Sequence, residues 1–100
     1  MALFAVINEQ GPSWDPTRPM REQEGWADHA AFMNALVDDH VVVLGGPLHK
    51  GPRHRALLIL RATDEARLRA RLAEDPWMRS GVLQLGQLVA WELLLGELDA

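Results

Sequence analysis

The sequence predicts one α+β domain in the order strand, helix, strand, strand, helix, strand. Three observations predict it. Short apolar runs alternate with two segments of helical spacing, stretches rich in proline or glycine separate them, and 100 residues suit one hydrophobic core rather than two. Apolar residues make up 48% and charged residues 24% of the chain, the balance of a globular protein and not of a disordered one. No repeat, low-complexity tract or linker divides it, so a single domain is expected over residues 1–100.

Ala2 to Asn8 carries Phe4, Val6 and Ile7 and reads as the first strand. Gly11 to Pro19 holds Pro12, Pro16 and Pro19 and must be a loop. From Arg21 to Asp38 the residues Trp26, Ala30, Met33, Leu36 and Val37 fall on one helical stripe, and Glu22 and Glu24 suit the positive end of that helix. The β-branched run Val41-Val42-Val43 makes His40 to Leu44 the second strand, with Gly45-Gly46-Pro47 expected to end it. Ala56 to Leu60 is the third strand. Thr63-Asp64-Glu65 then offers an N-cap, Leu68 and Leu72 mark the buried side of a second helix, and Asp75-Pro76 is expected to stop it. Val82 to Leu95 is apolar at the odd positions Leu85, Val89, Trp91, Leu93 and Leu95 and reads as a long last strand, although its composition also permits a helix.

This order is the ferredoxin-like βαββαβ arrangement, a four-stranded antiparallel sheet with both helices on one face. The first and third strands are apolar at nearly every position, which implies burial on both faces, yet the helices cover only one. A second copy packed sheet against sheet is the simplest cover, so a homodimer is expected.

Composition excludes several chemistries. The chain has no cysteine, which removes disulfides, thiolate metal sites, cysteine nucleophiles and iron–sulfur clusters. A formal charge of −4 argues against nucleic acid as a partner, with a local exception in the basic stretch from His49 to Arg55. The apolar run at the amino terminus lacks basic flanks and a cleavage pattern and is too short to span a bilayer, so a cytoplasmic protein without membrane contact is expected. No two histidines stand four apart on a helix, Ser13 and Ser80 are the only serines, and there is no nucleophile elbow, so neither a metal nor a cofactor is expected.

One constellation is left for chemistry. His29 lies inside the apolar stripe of the first helix, one turn after Trp26 and one turn before Met33, and so points inward. Asp75 follows Leu68 by seven residues and would share its side if the second helix extends that far. The two helices of a βαββαβ unit run antiparallel, which sets the start of the first beside the end of the second. At a helix C-terminus a carboxylate meets the negative end of the dipole and needs a cation or donor, a part that an imidazole can fill. His29 would act as general acid or base, with Asp75 fixing its tautomer, and a small organic molecule would be the ligand. Against this stands the plainer reading that a histidine on an apolar helix face is more often a hydrogen-bonded core residue than a catalyst. Trp14, set among loop prolines as a potential lid, joins Gly46, Pro47 and Trp77 as the candidate substrate-binding residues at that end.

The segments Trp26-Ala27-Asp28-His29-Ala30-Ala31-Phe32-Met33, Val43-Leu44-Gly45-Gly46-Pro47-Leu48, Glu74-Asp75-Pro76-Trp77 and Val89-Ala90-Trp91 together resemble the YCII-related (YciI-like) family. The resemblance rests on a helix histidine, a Gly-Pro after the second strand and an Asp-Pro-aromatic, in that order. It implies a dimeric α/β barrel in which the sheets of two subunits face each other. It also implies that His29 and Asp75 match the family's active-site pair, with lyase-like or isomerase-like proton transfer on small molecules. Two alternatives stay open: a non-catalytic binding or accessory module, and, from the wider superfamily, a cofactor-free oxygenase or a haem protein with His29 as axial ligand.

Overall fold

The computed structural model describes residues 2–98. Its elements are β1 (Ala2–Gln10), a single 3-10 turn (Met20–Glu22), α1 (Trp26–Asp38), β2 (Val42–Leu48), β3 (Arg55–Ala62), α2 (Glu65–Leu72), α3 (Pro76–Ser80) and β4 (Leu83–Trp91). The strands form one antiparallel sheet in the order β2-β3-β1-β4. This is the ferredoxin-like α+β arrangement that the alternation of strands and helices predicts.

Strand alternation divides β1 and β3 between the two faces. Phe4, Val6, Leu58 and Leu60 meet Leu36 of α1 and Leu68 and Leu72 of α2 in the main core. Leu3, Ala5, Ile7, Leu57 and Ile59 point the other way. The register sets Leu44, Ile59, Ala5 and Val89 in one row across that second face. Leu44 and Val89 remain 57% and 49% exposed while Ile59 between them is buried, so the face is largely apolar and its outer strands are uncovered in the single chain. Among the described residues no helix is long and apolar enough to cross a membrane.

Four boundaries differ from the sequence reading by three residues or more, each for a local reason. The first helix starts at Trp26 rather than Arg21, because Gly25 takes a left-handed conformation (φ 81°) and breaks the chain before it. Glu22 therefore lies in the separate 3-10 turn, and Asp28 is the acid of the first helical turn. The second strand runs through Gly45-Gly46-Pro47 to Leu48. A proline is tolerated there because β2 is an edge strand whose outer side needs no donor. Asp75-Pro76 does not stop the second helix, which ends at Leu72; it opens α3, with Asp75 as N-cap and Pro76 in its first turn. The last strand ends at Trp91, and a bulge beside Ile7 and Asn8 places Gly86 as an extra residue. The bulge shifts the alternation by one, so Leu83 and Leu85 face the helices before it and Leu88 after it, while Val89 and Trp91 take the other face. A Cβ on residue 86 would stand 2.9 Å from the Ile7 carbonyl oxygen, which is why glycine occupies the bulge.

Candidate functional site

Asp75 is 2% exposed and His29 9% exposed. The His29 Nδ1 lies 2.9 Å from each carboxylate oxygen of Asp75. An ionised carboxylate only accepts, so Nδ1–H is the donor and Nε2 carries the lone pair of the neutral ring. Asp75 Oδ1 also accepts the backbone N–H of Trp77 at 2.9 Å, the capping bond of α3. The predicted pair is therefore in contact, although the carboxylate belongs to the start of α3 and not to the end of α2.

Trp77 completes the arrangement. Its indole stacks on the His29 ring at 3.9 Å with planes 9° apart, and its Nε1–H donates to the Glu24 carbonyl at 2.8 Å, just before α1. Trp26 leans against both rings, 5.9 Å from His29 and 5.6 Å from Trp77. These contacts leave the imidazole one position.

The loop from Gly11 to Pro19 is tied down rather than free. Gly11 and Ser13 N–H groups donate to the Val82 and Gly81 carbonyls. The buried Gln23 side chain accepts from Asp15 N–H and donates to the Asp15 and Arg18 carbonyls. The loop so held sets Trp14 edge-on to Trp77 at 6.1 Å and flat on His54 at 4.5 Å. His54 is clamped by its own backbone, whose carbonyl accepts from Gln10 N–H and whose N–H donates to Gln10 Oε1.

His29 lines a cavity of about 300 Å³ between α1, β2 and the helix-facing side of the sheet, within the size range of small-molecule sites. Its walls are mainly apolar, with Met20, Trp26, Met33, Val37, Leu58 and Leu83, and its polar groups are His29, His54, Asn8 and Asn34. Of the candidate substrate-binding residues, Gly46, Pro47 and Trp77 line it; Trp14 does not, and meets it through His54 and Trp77. Asp75 sits behind His29. A separate cleft of about 370 Å³ outside the loops is lined by Trp14, Arg18, His49, Lys50, Arg53 and His54, which gathers the basic stretch beside the cavity, with His54 shared between the two. Among the described residues no three His, Cys, Asp or Glu side chains are grouped to hold a metal ion.

Sequence reasoning missed His54 and Asn8. The sequence places His54 within the basic stretch from His49 to Arg55, and only the folded loop shows it turned inward. Asn8 carries a legible signal, since Phe4, Val6 and Asn8 alternate and the third inward position is polar. Burial pushes the His54 imidazole below its ordinary value, and the His29 ring, when it carries a proton, pushes it the same way.

No protein-family model matches the chain, and no curated protein matches it in sequence. Among solved structures it is similar to 5-chloro-2-hydroxyhydroquinone dehydrochlorinase from Burkholderia phenoliruptrix AC1100, in complex with 2,5-dihydroxybenzoquinone. The TM-score is 0.58 at 19% identity, over 94% of this chain and 95% of that one. At this identity the likeness establishes a shared fold, the ferredoxin-like α+β arrangement described above.

Two outcomes follow from the geometry. Asp75→Ala removes the α3 cap and leaves a buried imidazole without its partner, and is expected to destabilise the protein by about 3 kcal/mol in urea titration. Asp75→Asn keeps a capping oxygen and is expected to lose clearly less. The lowered His54 value means that the folded protein resists protonation where the unfolded chain, near 6.5, accepts it. The stability of wild type relative to His54→Gln is expected to be level above about pH 6.5 and to fall as the pH drops below it, measured by urea titration across that range.

Proposed function

We propose that the chain is a small-molecule enzyme of the YCII-related family in which His29 moves a proton and Asp75 holds it for that task. The observation that carries this reading is the commitment of Nδ1 to both Asp75 oxygens, which leaves Nε2 as the nitrogen for the cavity that His29 lines. In the neutral ring Nε2 accepts a proton from a substrate C–H or O–H group, and the Asp75 carboxylate steadies the imidazolium that forms. Return of the proton to another atom gives an isomerisation; departure of a leaving group gives an elimination. The solved structure of similar fold is that of a dehydrochlorinase, and the loss of hydrogen chloride from an organic molecule includes a proton transfer of this kind. His54, whose imidazole burial pushes below its ordinary value, is a second imidazole lining the same cavity. Gly46, Pro47 and Trp77 act as walls, and Trp14 acts through His54.

The same reading takes a second copy of the chain as the cover of the uncovered sheet face. The row Leu44, Ile59, Ala5 and Val89 supports it, since it offers a continuous apolar strip with Trp91 at its margin.

A thermal-shift screen of small organic acids, phenols and quinones, 2,5-dihydroxybenzoquinone among them, tests the site. At least one compound is expected to raise the melting temperature of wild type by several degrees and to leave His29→Ala unmoved. With a substrate in hand, His29→Gln is expected to lower kcat by about 10²–10⁴-fold; turnover unchanged in that variant would overturn the assignment. Sedimentation of wild type at micromolar concentration is expected to show a dimer, and Val89→Arg a monomer of lower stability. A Val89→Arg protein that stays dimeric would place the interface elsewhere.

A further inference from the structure

We propose that Asn8 selects the ligand of this cavity, its Oδ1 accepting a hydrogen bond from a hydroxyl or N–H group on an otherwise apolar small molecule. The inference rests on the proposed function in one respect, that the cavity is the substrate site.

Asn8 stands on β1 at the inward position after Phe4 and Val6, is 3% exposed and lines the cavity. Its Oδ1 is fully buried and has no hydrogen-bond partner among the described residues. Buried polar side-chain atoms nearly always have one, and leaving an acceptor unmade is costly. The other buried side chains follow the rule: Gln23 makes three hydrogen bonds and Asp75 accepts from both His29 and Trp77. The sheet cannot supply the missing donor. The cross-strand partners of Asn8 are Ala56 on one side and Leu85 on the other, and neither has a side-chain N–H or O–H. The Gly86 bulge lies at this point of β1, where it turns the ladder beside the site. The remaining source of a donor is the cavity that Asn8 lines, whose walls near β1 include the apolar Leu58 and Leu83. A ligand with a hydroxyl satisfies Oδ1; one of the same shape with a methyl group leaves it orphaned, and the site rejects it. A volume of about 300 Å³ admits a single substituted ring.

Phenol and toluene, equal in shape and different at this one group, are the probes. Their affinities are measured by amide NMR titration of wild type and Asn8→Leu. The ratio of phenol to toluene affinity is expected to fall about tenfold from wild type to the variant, with toluene bound by Asn8→Leu at least as well as before. Asn8→Ala carries the same expectation and replaces the leucine variant if that protein does not fold. An unchanged ratio, with both probes still shifting the amides of the cavity, overturns the role of Asn8 and leaves the proposed function standing. If neither probe shifts those amides in wild type at millimolar concentration, the cavity is not a binding site, and the proposed function falls with the inference.

Discussion

The Asp75 carboxylate is the interaction on which the rest of the site depends. A helix of five residues has too few internal hydrogen bonds to hold itself together, and α3 exists because Asp75 caps it and Pro76 presets its first turn. Once α3 stands, Trp77 is aimed at the Glu24 carbonyl and at the face of His29. The same two oxygens hold His29 Nδ1. A buried carboxylate needs donors for its lone pairs, and here those donors lie on α1 and α3, so satisfying one charge joins two elements 46 residues apart in sequence.

The cavity lies beside an edge strand that carries two glycines. Helix α1 crosses a sheet whose edge strand offers Gly45 and Gly46 where other strands offer leucine or isoleucine. A Cβ on residue 45 would stand 2.5 Å from Leu58 Cδ2, so that Leu58 occupies the space a side chain there would need. Pro47 is compatible with this only at an edge, and an edge strand can be short of packing without opening the core. The main core lies further along the sheet, under Leu36, Leu68 and Leu72. Stability and cavity are thereby drawn from different parts of one layer, as expected when a pocket has to stay open beside a close-packed interior.

Strands, helices, topology and the inward-facing His29 were legible because each rests on a periodicity carried by several residues. The boundaries were not, because each rests on one ambiguous residue. A residue before proline avoids helical angles whether it ends one helix or caps the next, and Asp75 does the second. Gly45-Gly46-Pro47 reads as a turn unless the strand is known to lie at an edge, and edge position is a property of the whole sheet. The last strand alternates in sequence on odd positions, yet Leu88 is buried because Gly86 adds a residue that pairing with β1 alone discloses. The contact between His29 and Asp75 was reached through antiparallel helices with the carboxylate placed on the wrong one. The error did no harm because α3 follows the end of α2 within a few residues. His54 was hidden for another reason: its inward turn depends on Trp14, from a loop 40 residues away, and no local pattern records that stack.

The energetics of the pair bear on what it is for. Taking two ionisable groups out of water costs free energy that their attraction returns only in part, and well-packed apolar residues of similar volume commonly serve stability as well or better. Two leucines could join α1 to α3 here, since the surroundings, Trp26, Trp77 and Met20, are already apolar. An apolar pair would supply cohesion without leaving an imidazole nitrogen beside a cavity. The arrangement present does leave one, with its tautomer set from behind by a carboxylate and its plane set by an indole. Cohesion accounts for the burial of Asp75 and Trp77. It does not account for a histidine between them, and that is what the proposed proton transfer would explain.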